Sequence, residues 1–229
     1  MPEIFDLVIT IAIFIIAHML PAIAPLRRAI IATIGKAPYI VGFSLMSLGL
    51  LGWVGVAYAN APYIELWVLP GFMLWLPALL MPLATILLVA VFTNPNPLSV
   101  ARSSTAFDPT RPAIVGVTRH PLLAALVIWS GAHMVINGDM AAVLLFGLFT
   151  LLGLAGPLSI EKRKKQKLGE AEWARLSAPT SFMPFWAIIT GRARLDVIAI
   201  GWPTILAGIV LYGVLFYLHP HIIGVLPHP

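Results

Sequence analysis

Residues 119–165 read RHPLLAALVIWSGAHMVINGDMAAVLLFGLFTLLGLAGPLSIEKRKK, and this stretch decides the fold. It holds two apolar runs, Pro121–Ile136 and Met140–Ile160, joined by the tight polar turn Asn137-Gly138-Asp139. Arg119 and Lys162–Lys165 flank the pair, and no basic residue lies in the turn. A bilayer core is crossed by about 20 apolar residues as helix, with roughly 17 to 25 tolerated. The first run is short by that measure and needs a thinner local bilayer or burial among neighbours. Basic side chains collect on the cytoplasmic side, so the stretch is a membrane hairpin with its basic end inside.

The same pattern extends over the chain. All 14 Lys and Arg residues fall in three segments, Arg27–Lys36, Arg102–Arg119 and Lys162–Arg194. Four more apolar runs alternate with them: Ile4–Ala24, Pro38–Ala59, Leu66–Phe92 and Val197–Leu218. The first has neither a basic leader nor an A-x-A site, so it is expected as a mature helix and not a signal peptide. The third contains Pro70, Pro77 and Pro82 and is expected to be kinked or to start late, before Asn94-Pro95-Asn96-Pro97 ends it. Phe182–Ile189, which includes Trp186 and has Trp173 before it, is too short to span and reads as an interfacial or re-entrant element at the cytoplasmic face. The expected fold is an all-α polytopic membrane bundle of about six transmembrane helices, one domain over 1–229, with both termini outside.

Composition agrees, with 60% hydrophobic and 10% charged residues and a mean hydropathy of +0.96. The formal net charge is +5, but the basic residues follow membrane topology, so they point to the lipid bilayer and not to nucleic acid. There is no cysteine, which excludes disulfides, thiolate metal ligands and covalent C-x-x-C-H haem attachment.

Ionisable side chains within a membrane are costly and mark function by default. His18 and His133 both lie well inside apolar runs. At 1.5 Å per residue they sit roughly 13 Å and roughly 20 Å from the inner boundary, within what helix tilt and two imidazoles could bridge around one metal. Two histidines from different helices form the simplest noncovalent haem site. The plainer alternative is that each imidazole hydrogen-bonds a carbonyl of a neighbouring helix. Arg27, Arg28 and Arg119 are candidate propionate partners, and Trp129 and Asn137 candidate lining or support. His219, His221 and His228 read as a solvated outer tail.

Thr118-Arg119-His120-Pro121 opens the fourth run, and its plain reading is a helix cap with proline at the first position. With Glu161, Gly169, Trp173 and Pro184 downstream, it also resembles the isoprenylcysteine methyltransferase and sterol reductase superfamily. That likeness implies an inner-face cofactor site at Arg119, His120 and Glu161. Here Lys162 follows Glu161 and Trp173 stands where the pattern has tyrosine.

Several strings taken together resemble the NnrU family: His18–Arg27, Phe43-Ser44-Leu45 with Trp53, Pro95-Asn96-Pro97, Thr118–Pro121, Trp129–His133, Asn137-Gly138-Asp139, and Thr180-Ser181 with Pro184-Phe185. This bacterial membrane family is associated with denitrification and has plant zeta-carotene cis-trans isomerases as relatives. The resemblance implies noncovalent haem b on His18 and His133, in a bacterial inner membrane with periplasmic termini. The partners it implies are denitrification redox proteins, a small gas ligand or an apolar polyene. The role is that of a redox or accessory protein, or alternatively a haem-dependent isomerase. The plant pattern has a cysteine where Ser130 stands, so a thiolate ligand is absent here.

Overall fold

A computed structural model describes residues 2–20, 23–100 and 107–228. Its helices are α1 (Pro2–Met19), α2 (Ala24–Ile34), α3 (Lys36–Ala59), α4 (Leu76–Thr93), α5 (Ile114–Val117), α6 (Pro121–Asn137), α7 (Met140–Leu168), α8 (Glu170–Ser177), α9 (Trp186–Ile189), α10 (Val197–Ile200) and α11 (Trp202–Ile222). The protein is an all-helical, multi-pass membrane protein with about six apolar helices. Four described helices are long and apolar enough to cross a membrane: α3, α7, α11 and the stretch Gly71–Thr93. The apolar helices α1 and α6 are shorter, at 18 and 17 residues. Much of the apolar surface of these six helices is exposed to the surroundings, as with Leu158 of α7 and Leu79 of α4, which suits lipid as the solvent.

The chain falls into two compact units, residues 1–68 with 137–148 and residues 69–136 with 149–229. In the first unit α1 packs on α3, burying Leu7, Phe14, Val54 and Ala57. The extended segment after α3 pairs with the turn before α7: the backbone N–H groups of Leu66 and Trp67 donate to the Gly138 carbonyl at 2.8 and 3.1 Å. Asp139 then starts α7 by accepting from the Ala142 N–H at 3.0 Å.

In the second unit α4 packs antiparallel to α11, and a side chain on Gly208 would place its Cβ 2.6 Å from the Ile86 Cα. Gly153 likewise lets α7 approach α6, where a Cβ would meet Val127 Cγ2 at 2.5 Å. Small residues at such crossings let membrane helices gain van der Waals contact that lipid cannot provide. Pro82 has no N–H, which leaves the Ala78 carbonyl without its intrahelical donor; the Tyr212 hydroxyl of α11 supplies one at 3.1 Å.

Several boundaries differ from the expected runs. The first helix ends at Met19, and the basic segment after it lies largely in α2, which begins at Ala24; Pro21 and Ala22 lie outside the described residues. The third run starts late, as its prolines predict: Leu66–Pro70 is mostly extended, Gly71–Trp75 is a 3-10 turn, and α4 begins at Leu76. The fifth run continues as helix through Glu161–Lys165 to Leu168. The sixth breaks at Gly201, and Pro203 in the first turn begins α11 afresh. The segment after α8 folds against the end of the second unit where α6 begins, with the Phe185 N–H donating to the Val117 carbonyl at 2.7 Å.

Candidate functional site

The two intramembrane histidines have the same local geometry. His18 donates Nδ1–H to the Phe14 carbonyl at 2.7 Å, and His133 donates Nδ1–H to the Trp129 carbonyl at 2.8 Å. A carbonyl only accepts, so the proton sits on Nδ1 and the lone pair of each neutral ring on Nε2. These bonds lie within each helix, four residues back, and not to a neighbouring helix. Phe14 stacks on the His18 ring at 4.0 Å and Phe43 meets its edge at 5.6 Å. Trp129 lies 5.6 Å from the His133 ring and also contacts Phe149.

His219 was expected in a solvated tail, but it sits in the last turn of α11, because the apolar helix carries on to Ile222 despite Pro220. Its ring centroid is 6.5 Å from that of His133, and its Nδ1–H donates to the Val225 carbonyl at 2.8 Å. His221 also lies in α11, and His228 packs against Trp75 and Phe216. The sequence signal that could have found His219 is its position directly after the apolar run that ends at Leu218, with no break between them.

The other candidates lie as follows. Arg27 and Arg28 are exposed on α2. Asn137 ends α6, one turn beyond His133. Ser130 is fully buried and ties α6 to α7 through Thr150 Oγ1 at 2.8 Å, besides donating to the Leu126 carbonyl. Arg119 precedes α6, at the opposite end of that helix from His133, and is engaged in a polar network of the second unit.

That network joins residues far apart in sequence. His120 is wholly buried, with Nε2 3.0 Å from Glu161 Oε1 and Nδ1 2.7 Å from Ser99 Oγ. A carboxylate can only accept, so Nε2 carries the proton and the Ser99 hydroxyl donates to Nδ1. Burial holds the His120 pKa below the ordinary imidazole value, against the opposing pull of the Glu161 carboxylate. Arg119 shares the same carboxylate oxygen at 2.5 Å, donates from Nε to Thr180 Oγ1 at 2.8 Å, and lies over the Trp173 ring at 5.4 Å. Asn96 closes the frame by donating to the Arg119 carbonyl at 2.9 Å.

Arg119, His120 and Glu161, which the Arg-His-Pro string linked, are therefore in direct contact. Ser99, Thr180 and Asn96 complete the cluster; Asn96 and Thr180 lie in strings shared with the family resemblance, but nothing in those strings linked them or Ser99 to His120. A neutral, doubly bonded imidazole beside a compensated carboxylate is chemically quiet, and every polar atom of its ring is used. Its evident work is to lock the start of α6 to α7 and to the segment 178–185. Among the described residues there is no group of three or more His, Asp or Glu side chains able to hold a metal ion.

Comparison with known proteins places the chain. The maize (Zea mays) protein named 15-cis-zeta-carotene isomerase, chloroplastic, is 29% identical over 204 residues, covering 84% of this chain. The chain spans about half the length of that relative, 52%. No solved structure matches. The family model described as NnrU protein matches residues 6–227, and the chain therefore belongs to the NnrU family.

Proposed function

We propose that the protein is a haem-b-binding membrane protein whose axial ligands are His18 and His133. The observation that carries this reading is the shared tautomer of the two intramembrane imidazoles: each donates Nδ1–H to a carbonyl, at 2.7 and 2.8 Å, and so keeps Nε2 as the basic nitrogen. Metal-ligating histidines characteristically donate their other ring N–H to a carbonyl or carboxylate, which fixes tautomer and orientation and raises ligand basicity. The donor set thus fits haem iron.

Haem, when bound, would supply an iron centre able to change oxidation state and ligation. The chain's own residues would do the rest. Phe14 and Phe43 hold the plane of the His18 ring, and Trp129 that of His133. Arg27 and Arg28, exposed on α2, would pair with the propionates. Arg119, already paired with Glu161, would stay structural. The basic segments would face the cytoplasm of a bacterial inner membrane, with both termini periplasmic. The role proposed for the haem is redox or accessory support of nitrite or nitric oxide metabolism.

The maize relative favours a second reading, cis-trans isomerisation of an apolar polyene reached from the bilayer. Ser130 would leave such an enzyme without a thiolate ligand, so any change of ligation would have to involve histidine alone.

Absorption spectra of the purified protein, oxidised and reduced, with and without added haem, test the first reading. A stoichiometric b-type spectrum, lost in His18→Ala and in His133→Ala, is the expected result. Absence of bound haem after supplementation would remove it. Turnover of a cis-polyene only in the reduced state would favour isomerisation over an accessory role.

A further inference from the structure

The second unit holds a polar cavity of about 350 Å³ that neither histidine site uses, lined by Thr110, Arg111, Gly191, Arg192, Arg194 and Asp196 among others. Three guanidinium groups meet one carboxylate, an excess of two positive charges. Their states differ in a useful way. Arg111 is held by Asp196 Oδ2, from Nε at 3.0 Å and Nη2 at 2.8 Å, while Asp196 Oδ1 caps α10 at the Ala199 N–H. Arg192 is braced against the Thr180 carbonyl at 3.0 Å and Thr190 Oγ1 at 3.1 Å. Arg194 is exposed and makes no hydrogen bond or ion pair among the described residues. Two guanidinium groups are thus pre-positioned, and a third is uncommitted.

The surroundings are apolar and open. Ile189, Leu195 and Ile198 are 72%, 54% and 86% exposed, and Trp186 and Trp202 stand exposed at the two ends of the segment. Tryptophan of this kind settles at the headgroup level of a bilayer. The spanning helix α11 begins at Trp202, so the cavity opens where the membrane surface must lie. Guanidinium groups bind phosphate oxygens through paired, charge-assisted hydrogen bonds.

We propose that this cavity binds the phosphate of an anionic phospholipid, with Arg192 and Arg194 on the headgroup and the exposed Ile189–Ile198 flank against its acyl chains. Arg111 would be oriented by Asp196 to complete the clasp. The site would tie the 178–196 segment to one leaflet. It is independent of haem.

Native mass spectrometry of the purified full chain tests this, titrated with phosphatidylglycerol and with phosphatidylcholine of identical acyl chains. Phosphatidylglycerol should bind in preference, and Arg194→Ala should weaken it about fivefold, as expected for one basic side chain at a charged surface. Arg194→Lys should recover part of the loss, and phosphatidylcholine binding should not change. Because Arg194 bonds nothing among the described residues, the variant is expected to melt like the wild type. Equal binding of the two lipids, or an Arg194→Ala variant that binds phosphatidylglycerol normally, would overturn the proposal. Displacement of the lipid by inorganic phosphate alone would reassign the cavity to free phosphate and equally overturn it.

Discussion

His120 and Glu161, 41 residues apart, meet through an Nε2–H···Oε1 hydrogen bond of 3.0 Å on a side chain with no solvent exposure. Ser99 occupies the opposite ring nitrogen, and Arg119 compensates the carboxylate. Removing Glu161 would therefore leave two donors, one of them fully buried, without their acceptor. Glu161→Ala, which removes the acceptor outright, is expected to destabilise the protein by about 2 to 3 kcal/mol, seen as a lower melting temperature in detergent. The b-type spectrum proposed for the protein should be unchanged in any folded fraction, since the ring N–H groups of His18 and His133 are held by the Phe14 and Trp129 carbonyls and not by this network.

Burial of the same ring makes stability depend on pH. The folded-state pKa of His120 lies below its unfolded value because burial disfavours the imidazolium. Between those two values the unfolded chain binds more protons, so stability rises with pH. It should be complete above about pH 6.5, the unfolded imidazole value, and fall as pH drops through the folded value. Thermal melts across pH 5 to 8 would show this, and His120→Gln should flatten the slope.

Close approach of α4 and α11 depends on Gly208, where a Cβ would sit 2.6 Å from Ile86 Cα. Gly208→Leu should cost about 3 kcal/mol or abolish folding, because backbone has nowhere to move. Gly213, on the same helix with nothing within 4 Å of a built Cβ, should accept Ala with no loss. Comparing the monodisperse yield of the two variants checks the difference.

Tyr212 and Pro82 should be coupled. Tyr212→Phe removes the donor to the Ala78 carbonyl and should cost about 1 kcal/mol. In a Pro82→Ala background the helix supplies that donor itself, so the same change should cost almost nothing. A double-mutant cycle by thermal unfolding would measure the coupling.

Much of this organisation was legible in the sequence, and the reasons are local. The run Pro121–Ile136 matches α6 to within a residue because proline marks its start and Asn137-Gly138 its end. The Gly201-Trp202-Pro203 break was hidden inside a uniformly apolar run, since hydropathy does not register a change of backbone direction. His219 was assigned to a tail because polar side chains lower hydropathy even where the backbone stays helical. Arg119, His120 and Glu161 were grouped through a motif, whereas Ser99, Asn96 and Thr180 could not be. Their role exists only through contacts spanning 21 to 61 residues, and no periodicity encodes those.

The central claim, axial ligation of one haem by His18 and His133, is tested most directly by low-temperature electron paramagnetic resonance of the ferric, haem-loaded protein. The account predicts a low-spin signal of bis-imidazole type that disappears in His18→Ala and in His133→Ala and persists in His219→Ala. A high-spin signal in the wild type would contradict it. So would a low-spin signal that survives His18→Ala but vanishes in His219→Ala, which would place both ligands within the second unit, where His133 and His219 lie 6.5 Å apart.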